Sequence, residues 1–206
     1  MEVAVLGPVR ARLDGAEVDL GTPKQRALVS ALALSAGRPV PVDTIVDLLW
    51  GDTPPAGVAG TLQAYVSGLR RVLEPDRERR APATVLVTAS PGYALRLDTG
   101  ALDTERFEQA VDEQHRLVQL LAGSGPPVLS GDELGECVSR LDEAVGLWRG
   151  TPYAELDDAP AAVAERTRLE ELRLVALEDR AVAGLARSPQ HRGGRARGDD
   201  RGSPAA

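Results

Sequence analysis

Apolar and polar residues alternate in three short stretches over the first twenty positions of the chain. Alternation with a period of two is typical of strands that bury one face. Asp14-Gly15 separates the last two stretches and is a strong signal for a two-residue hairpin turn. The pattern therefore predicts a small antiparallel sheet, with strands at residues 3–6, 9–13 and 18–20.

The spacing of apolar residues then lengthens to three or four, which is the repeat of an amphipathic helix. Thr22 as the cap, Pro23 in the first turn and Gln25 three positions after the cap predict where this helix begins. Gly37 predicts its end. A second helix is expected over residues 42–50.

A third helix is predicted over residues 56–73, between Pro55 and Pro75. Its apolar residues recur three or four apart and predict a buried stripe, which consists of Val58, Leu62, Val66, Leu69 and Leu73. The opposite face is small, polar and basic, and it consists of Gly57, Gly60, Ala64, Ser67, Gly68 and Arg71, flanked by Thr61, Gln63 and Arg70.

Two more strands are predicted behind this helix, at residues 85–89 and 93–97, with Ser90-Pro91-Gly92 as the turn. A sheet, three helices and a C-terminal hairpin together predict an α+β winged helix-turn-helix domain over residues 1–97. In such a domain the third helix enters the major groove of DNA.

From Asp103 onwards the pattern is wholly helical. Three amphipathic helices are expected, with apolar faces formed by Phe107, Ala110, Val111, Leu117, Val118 and Leu121, by Leu134, Cys137, Val138, Leu141, Ala144, Val145 and Trp148, and by Leu169, Leu172, Val175, Ala176, Val182 and Ala183. Antiparallel pairing of these helices predicts an all-α, TPR-like domain over residues 103–186. The Gly/Pro-rich residues 122–130 predict a flexible connection, and residues 187–206 predict a disordered tail.

The formal charge of −7 argues at first against a nucleic-acid partner. Residues 1–97, however, carry 11 Arg/Lys and 10 Asp/Glu, whereas residues 98–186 carry 8 and 19. Because phosphate attraction depends on the local cations, the near-neutral first block remains able to bind DNA. The single cysteine excludes an intramolecular disulfide, and the start of the chain lacks a signal-peptide pattern. No stretch is long and apolar enough to span a membrane, so we expect a cytoplasmic protein.

Several motifs in order carry a family resemblance. They are Leu6-Gly7-Pro8, Pro23-Lys24-Gln25-Arg26-Ala27-Leu28, Leu49-Trp50-Gly51-Asp52, Leu62 to Arg71, Gly92-Tyr93, Ala144 to Gly150 and Arg168 to Arg173. The chain resembles the SARP-type transcriptional activators, which join an OmpR-type winged helix to a bacterial transcriptional activator domain. The resemblance covers residues 1 to about 186. Family members often carry Asn where Gly60 stands and Arg where Gly68 stands.

The resemblance implies binding to double-stranded promoter DNA at direct repeats, recruitment of RNA polymerase holoenzyme, self-association on DNA and control of secondary-metabolite (antibiotic) biosynthesis. The candidate DNA contacts are Thr61, Gln63, Ala64, Ser67, Arg70 and Arg71 on the third helix, Lys24 and Arg26 on the first, and Ser90, Gly92 and Tyr93 at the hairpin. Lys24 and Arg26 are also compatible with ordinary surface cations, and Tyr93 with packing on the core.

Enzyme activity is not expected, because the two histidines have no spacing relation to Cys137 that predicts a metal site or a nucleophile pair. No cofactor is expected either, since the only lysine lies outside a P-loop motif. We expect the family's helical domain to be truncated here, because the basic tail replaces its further helices. The alternative hypothesis is accordingly a protein-interaction module with weak or no DNA binding.

Overall fold

The first half of the computed structural model forms two small sheets and three helices, and the second half is helical. The structure describes residues 1–78, 80–121, 129–156 and 158–187. The elements of the first half are β1 (Glu2–Ala4), β2 (Arg10–Leu13), β3 (Ala16–Val18), α1 (Pro23–Leu34), β4 (Val40–Pro41), α2 (Val42–Trp50), α3 (Val58–Leu73), β5 (Leu86–Ala89) and β6 (Gly92–Leu95). The second half contains α4 (Asp103–Leu121), α5 (Gly131–Gly146), a 3-10 turn (Ala154–Leu156) and α6 (Pro160–Arg187).

The N-terminal sheet has the order β1-β2-β3 and is antiparallel, as predicted. Asp14 and Gly15 form its hairpin turn, with φ angles of 51° and 82°. Positive φ at both positions is the requirement of the turn that matches strand twist. Because this turn has only two residues, β3 begins at Ala16, two positions before the predicted strand.

Helix α1 begins with the predicted capping box. The Thr22 hydroxyl accepts the Gln25 N–H at 3.4 Å, and the Gln25 side-chain oxygen accepts the Thr22 N–H at 3.1 Å. The reciprocal pair satisfies two amides that the first turn of a helix leaves without partners. Helix α2 has the predicted limits, whereas α3 begins at Val58 because Gly57 adopts a left-handed conformation, with φ of 74°.

The second sheet has the order β4-β6-β5 and carries the predicted hairpin, which we call the wing. Strand β4 was not predicted, because two residues, one of them proline, are too short for an alternating pattern. Gly92 belongs to β6 and pairs with Pro41, so the wing loop consists of Ser90 and Pro91 only. Strand β5 begins one residue later than predicted, whereas β6 begins one residue earlier and ends two residues earlier.

The three predicted helices of the second half are confirmed, and α5 packs against both α4 and α6. Helix α5 ends at Gly146, so Trp148 lies beyond it, where its ring meets Phe107 edge-on at 5.5 Å. The prediction that Val182 packs inward is wrong, since it is 45% exposed while its neighbour Ala183 is buried. The expected flexible connection and disordered tail fall mainly on residues 122–128 and 188–206, outside the described residues, and Arg187 belongs to α6.

The two halves share a junction built on the backbone that follows β1. The Asp103 carboxylate accepts the N–H of Val5 at 2.7 Å and of Leu6 at 3.0 Å. The carbonyls of the same two residues accept the N–H groups of Tyr153 and Arg149, at 2.8 and 2.7 Å. The pairing of β1 with β2 therefore stops at Ala4, two residues before the predicted strand end.

Glu155 makes a second connection across this junction. One carboxylate oxygen accepts the Val9 N–H at 2.8 Å, and the other accepts the Ser30 hydroxyl at 2.9 Å. Buried apolar residues of both halves, from Val3 and Leu28 to Phe107, belong to one continuous core. The position of the helical half is therefore fixed relative to α1 and the N-terminal sheet.

Candidate nucleic-acid interface

Helix α3 separates a buried stripe from an exposed face, as its sequence predicts. Leu62, Val66, Leu69 and Leu73 are buried, and Val58 is half-buried. We call the exposed residues the outer face of α3, and they comprise Gly60, Gln63, Ala64, Ser67 and Arg71. Thr61 is half-buried at the edge of this face. An exposed helix face with amide, hydroxyl and guanidinium groups has the chemistry that is used to contact base edges and phosphates.

Gly68 does not lie on open surface, although the sequence pattern assigned it to the outward side. A Cβ atom at this position would lie 3.0 Å from the side-chain nitrogen of Gln25 in the capping box of α1. The amide of Gln25 thus occupies the space beside Gly68.

Gly60→Ala is expected to stabilise the protein. A Cβ atom at Gly60 would meet no other atom within 4 Å, and the residue lies inside α3. Alanine restricts the unfolded chain and favours the helix, so the free energy of unfolding should rise by about 0.5 kcal/mol. Urea denaturation followed by circular dichroism measures the change, and a lower midpoint than that of the wild type would contradict the prediction.

Arg70 is directed towards the wing rather than towards solvent. Its Nε donates to the carbonyl of Leu86 at 2.7 Å, and its Nη2 donates to the Thr88 hydroxyl at 2.8 Å. Both acceptors belong to β5, which forms an edge of the second sheet. The side chain of Arg71, by contrast, is exposed, and its Nε donates to the Ser67 carbonyl of its own helix at 3.4 Å.

Glu74, one turn after Arg70, binds the segment that leads into β5. Its Oε1 accepts the N–H and the hydroxyl of Thr84 at 2.6 and 2.7 Å, and the N–H of Val85 at 3.2 Å. Burial favours a raised pKa for this carboxyl, but these hydrogen bonds and the Arg77 guanidinium outweigh it and lower the pKa. Ionised Glu74 therefore stabilises the fold above its ordinary pKa, and this contribution is lost as the pH falls through the lowered value.

Lys24 and Arg26 lie at the start of α1 and are both engaged with backbone carbonyls. The Lys24 ammonium donates to the carbonyl of Leu49, near the end of α2. The Arg26 guanidinium donates to the carbonyl of Gly21 at 2.7 Å. Lys24 remains exposed, whereas Arg26 is half-buried. Both cations therefore have hydrogen-bond partners inside the protein, and their contact with phosphate stays a prediction.

The wing residues differ in their surroundings. Ser90 is exposed in the loop, and Tyr93 is half-buried and packs against the core. Gly92 is buried against β4, where a Cβ atom would overlap the carbonyl oxygen of Val40. Among the wing candidates, the loop residue Ser90 is thus the most accessible to DNA. Gly92 is required by the close approach of two strands.

The structure places part of the candidate set on one surface and part elsewhere. Gln63, Ala64, Ser67 and Arg71 share the exposed face of α3. Arg70 connects that helix to the wing, and Lys24 contacts α2. The sequence reasoning missed Glu74 and Thr84, because neither belongs to a periodic pattern. The nearest signal was a carboxylate placed directly after the last turn of the helix.

In the helical half, Cys137 is buried and His115 is paired with an aspartate. Burial and then the charge of Asp179 raise the pKa of the Cys137 thiol, and His115 Nδ1 lies 2.7 Å from the Asp179 carboxylate. Within the described ranges, no three His, Cys, Asp or Glu side chains are grouped so that they could hold a metal ion. No helix in the same ranges combines the length and apolar character that crossing a membrane requires.

Two family models match the chain, one on each half. The model described as transcriptional regulatory protein, C terminal, matches residues 15–95. The model described as bacterial transcriptional activator domain matches residues 102–193. The division between the matches falls at the junction, close to Asp103. The pair of models matches the two kinds of domain that the sequence motifs resemble.

Similar proteins include several named regulators. The regulatory protein AfsR of Streptomyces coelicolor is 38% identical over 87% of this chain and 16% of its own length. The regulatory protein DnrI of Streptomyces peucetius is 34% identical over 87% of this chain and 63% of its own length. The structure of Mycobacterium tuberculosis EmbR with a low-affinity phosphopeptide is 32% identical, with a TM-score of 0.70 over 90% of this chain and 45% of that chain. The chain thus spans less than two thirds of each.

Proposed function

Because this chain belongs to the SARP-type transcriptional activators, we propose that it regulates transcription by binding promoter DNA through α3 and the wing. Residues 1–97 form the DNA-binding domain in this proposal, and residues 103–186 the activator domain. In this proposal the protein controls an antibiotic biosynthesis pathway, because this family is known for that role. A regulator of this kind acts in the bacterial cytoplasm.

The observation that carries the proposal is the outer face of α3. Gln63, Ser67 and Arg71 are exposed on one side of a helix whose opposite side packs on the core. A helix fits the major groove of B-DNA, where amide and guanidinium groups distinguish base pairs by their donor and acceptor patterns. In this proposal Thr61 and Ala64 supply additional contacts. The phosphates are contacted by Lys24, Arg26, Ser90 and Tyr93.

The helical half is proposed to contact RNA polymerase holoenzyme or a second copy of the chain on direct repeats. Support comes from the exposed apolar side chains of α6, where Leu185 is 73% exposed and Leu174 is 61% exposed. Exposed apolar surface of this kind is typical of protein contacts. The same observation supports the second candidate function, a protein-interaction module without strong DNA binding.

Arg71→Ala is expected to weaken binding to DNA by about tenfold, because it removes an exposed guanidinium that contacts a base or a phosphate. The DNA is first enriched from random duplexes with the wild-type chain and then used in gel shifts at several salt concentrations. Gln63→Ala and Ser67→Ala are tested in the same way. Loss of a phosphate contact should also reduce the salt slope by about one.

Arg140→Ala is the matched control. Arg140 is an exposed arginine of α5 that pairs with Glu136 at 3.4 Å on the same helix, so its loss should leave DNA affinity unchanged. Wild-type affinity in a combined variant of Gln63, Ser67 and Arg71 would show that α3 is not the DNA-binding helix. Failure to enrich any duplex, together with capture of purified polymerase, would favour the second candidate function.

A further inference from the structure

We infer that Arg70 and Glu74 are positioning residues that hold the wing at a fixed distance from α3 before DNA is bound. The inference rests on the proposed function and assigns to Arg70 a role other than direct contact with bases or phosphates. Glu74 directly follows the last residue of α3 and lies four positions after Arg70, so both side chains lie on the same side of the end of this helix. That side faces β5 and the segment leading into it.

The first connection uses the unpaired edge of the second sheet. Strand β5 pairs only with β6 among the strands described, so one of its edges lacks a strand partner. Unpaired carbonyls on such an edge need another donor. Arg70 supplies it by donating Nε to Leu86 at 2.7 Å, while its Nη2 reaches Thr88 one pleat further along at 2.8 Å.

The second connection fixes the segment at which the wing begins. Glu74 is only 7% exposed in its side chain, and one oxygen accepts three hydrogen bonds from Thr84 and Val85. Arg77 lies 3.7 Å from its other oxygen and donates to the Ala81 carbonyl at 2.6 Å. Together with the Arg70 contacts, these bonds hold β5 from its entry to Thr88.

The consequence for binding is preorganisation. A wing that is already held against α3 does not have to be ordered when DNA binds, so less entropy is lost at that step. Two of the five donors of the Arg70 guanidinium are used inside the protein, in a planar arrangement that lysine cannot reproduce. An arginine whose task is to neutralise a phosphate would instead be largely replaceable by lysine, which retains the charge.

The test compares R70K, R70A and T88V, with R71K as the matched control at the neighbouring exposed arginine. Affinity for the enriched DNA is measured for the Arg70 and Thr88 variants. Amide hydrogen exchange in β5 and β6 of the free protein is measured for all four. We expect R70K to lose at least about fivefold in affinity, within about twofold of R70A, and T88V to lose a smaller part. Exchange in the wing should become faster in R70K and T88V and stay unchanged in R71K.

Wild-type affinity in R70K, with unchanged exchange in the wing, would overturn the inference, because charge alone would then suffice. Unchanged wing exchange in both R70A and T88V would overturn it as well. If the wild-type chain binds no DNA, the proposed function fails, but the exchange measurements on the free protein still decide whether Arg70 holds the wing. T88V removes a single hydroxyl from an exposed side chain, so this variant is expected to fold.

Discussion

Asp103→Ala is expected to lower the free energy of unfolding by about 3–5 kcal/mol. The Asp103 side chain is almost fully buried, and it accepts the N–H groups of Val5 and Leu6 and contacts Arg149 at 3.5 Å. Burial raises the pKa of its carboxyl above the ordinary value, although the two N–H groups and Arg149 oppose the shift. Alanine would leave two buried amides and a partly buried guanidinium without their acceptor. Urea unfolding followed by circular dichroism measures the loss.

Asp112→Ala is the control for this experiment. Asp112 is an exposed aspartate of the same helix, α4, so its replacement should change stability by less than about 0.5 kcal/mol. A similar small change for Asp103→Ala would mean that the junction does not depend on this carboxylate. A large loss would show that the helical half stabilises the strand segment at the start of the winged helix.

Gly92→Ala should disrupt the wing and reduce stability by about 3 kcal/mol. An added Cβ atom would overlap the Val40 carbonyl oxygen and lie 2.9 Å from the Val42 amide nitrogen. Both are backbone atoms, so no rotamer change can relieve the overlap. Strand β4 must separate from β6, and the wing then loses its support from the sheet. Thermal unfolding and the gel shift with enriched DNA should both show the loss.

Ser90→Ala tests the same turn without changing the packing. Ser90 is exposed, so its replacement should leave the unfolding free energy within about 0.5 kcal/mol of the wild type. Native stability in Gly92→Ala would show that β4 and β6 can separate at little cost. Gly92 was predicted as a DNA contact, but it is buried. The fold therefore requires glycine at this position whether or not DNA is bound.

The sequence predicted the elements well where local chemistry decides them. The capping box at Thr22 and Gln25, the Asp14-Gly15 turn and the limits of α2 follow from interactions within a few residues. The buried stripe of α3 follows from the helical repeat alone. The sequence failed where a segment is short or where its partner is distant. Strand β4 and the early end of β1 are of this kind, because their limits depend on β6 and on Asp103.

The candidate site shows the same division. The exposure of Gln63, Ser67 and Arg71 was predictable, since it depends only on their angle around α3. The orientation of Arg70 was not, because helical periodicity places its Cα at the flank but does not say which neighbour its guanidinium meets. Lys24 likewise contacts the Leu49 carbonyl in the last turn of α2, 25 residues away, and its place at the start of α1 does not predict this partner.

By itself, the amino-acid sequence determined the order of the helices and of the strands other than β4, the change from a mixed α/β half to a helical half, and the buried stripe of α3. Those properties arise from local propensity, capping and periodicity, which involve residues close in the chain. Only the tertiary structure decided that Arg70 and Glu74 bind the wing and that Asp103 and Glu155 fasten the two halves. Their partners are 10 to 146 positions away, and such contacts leave no periodic signal in the sequence. They form when packing brings distant backbone amides and carbonyls to the same place and burial requires each to be paired.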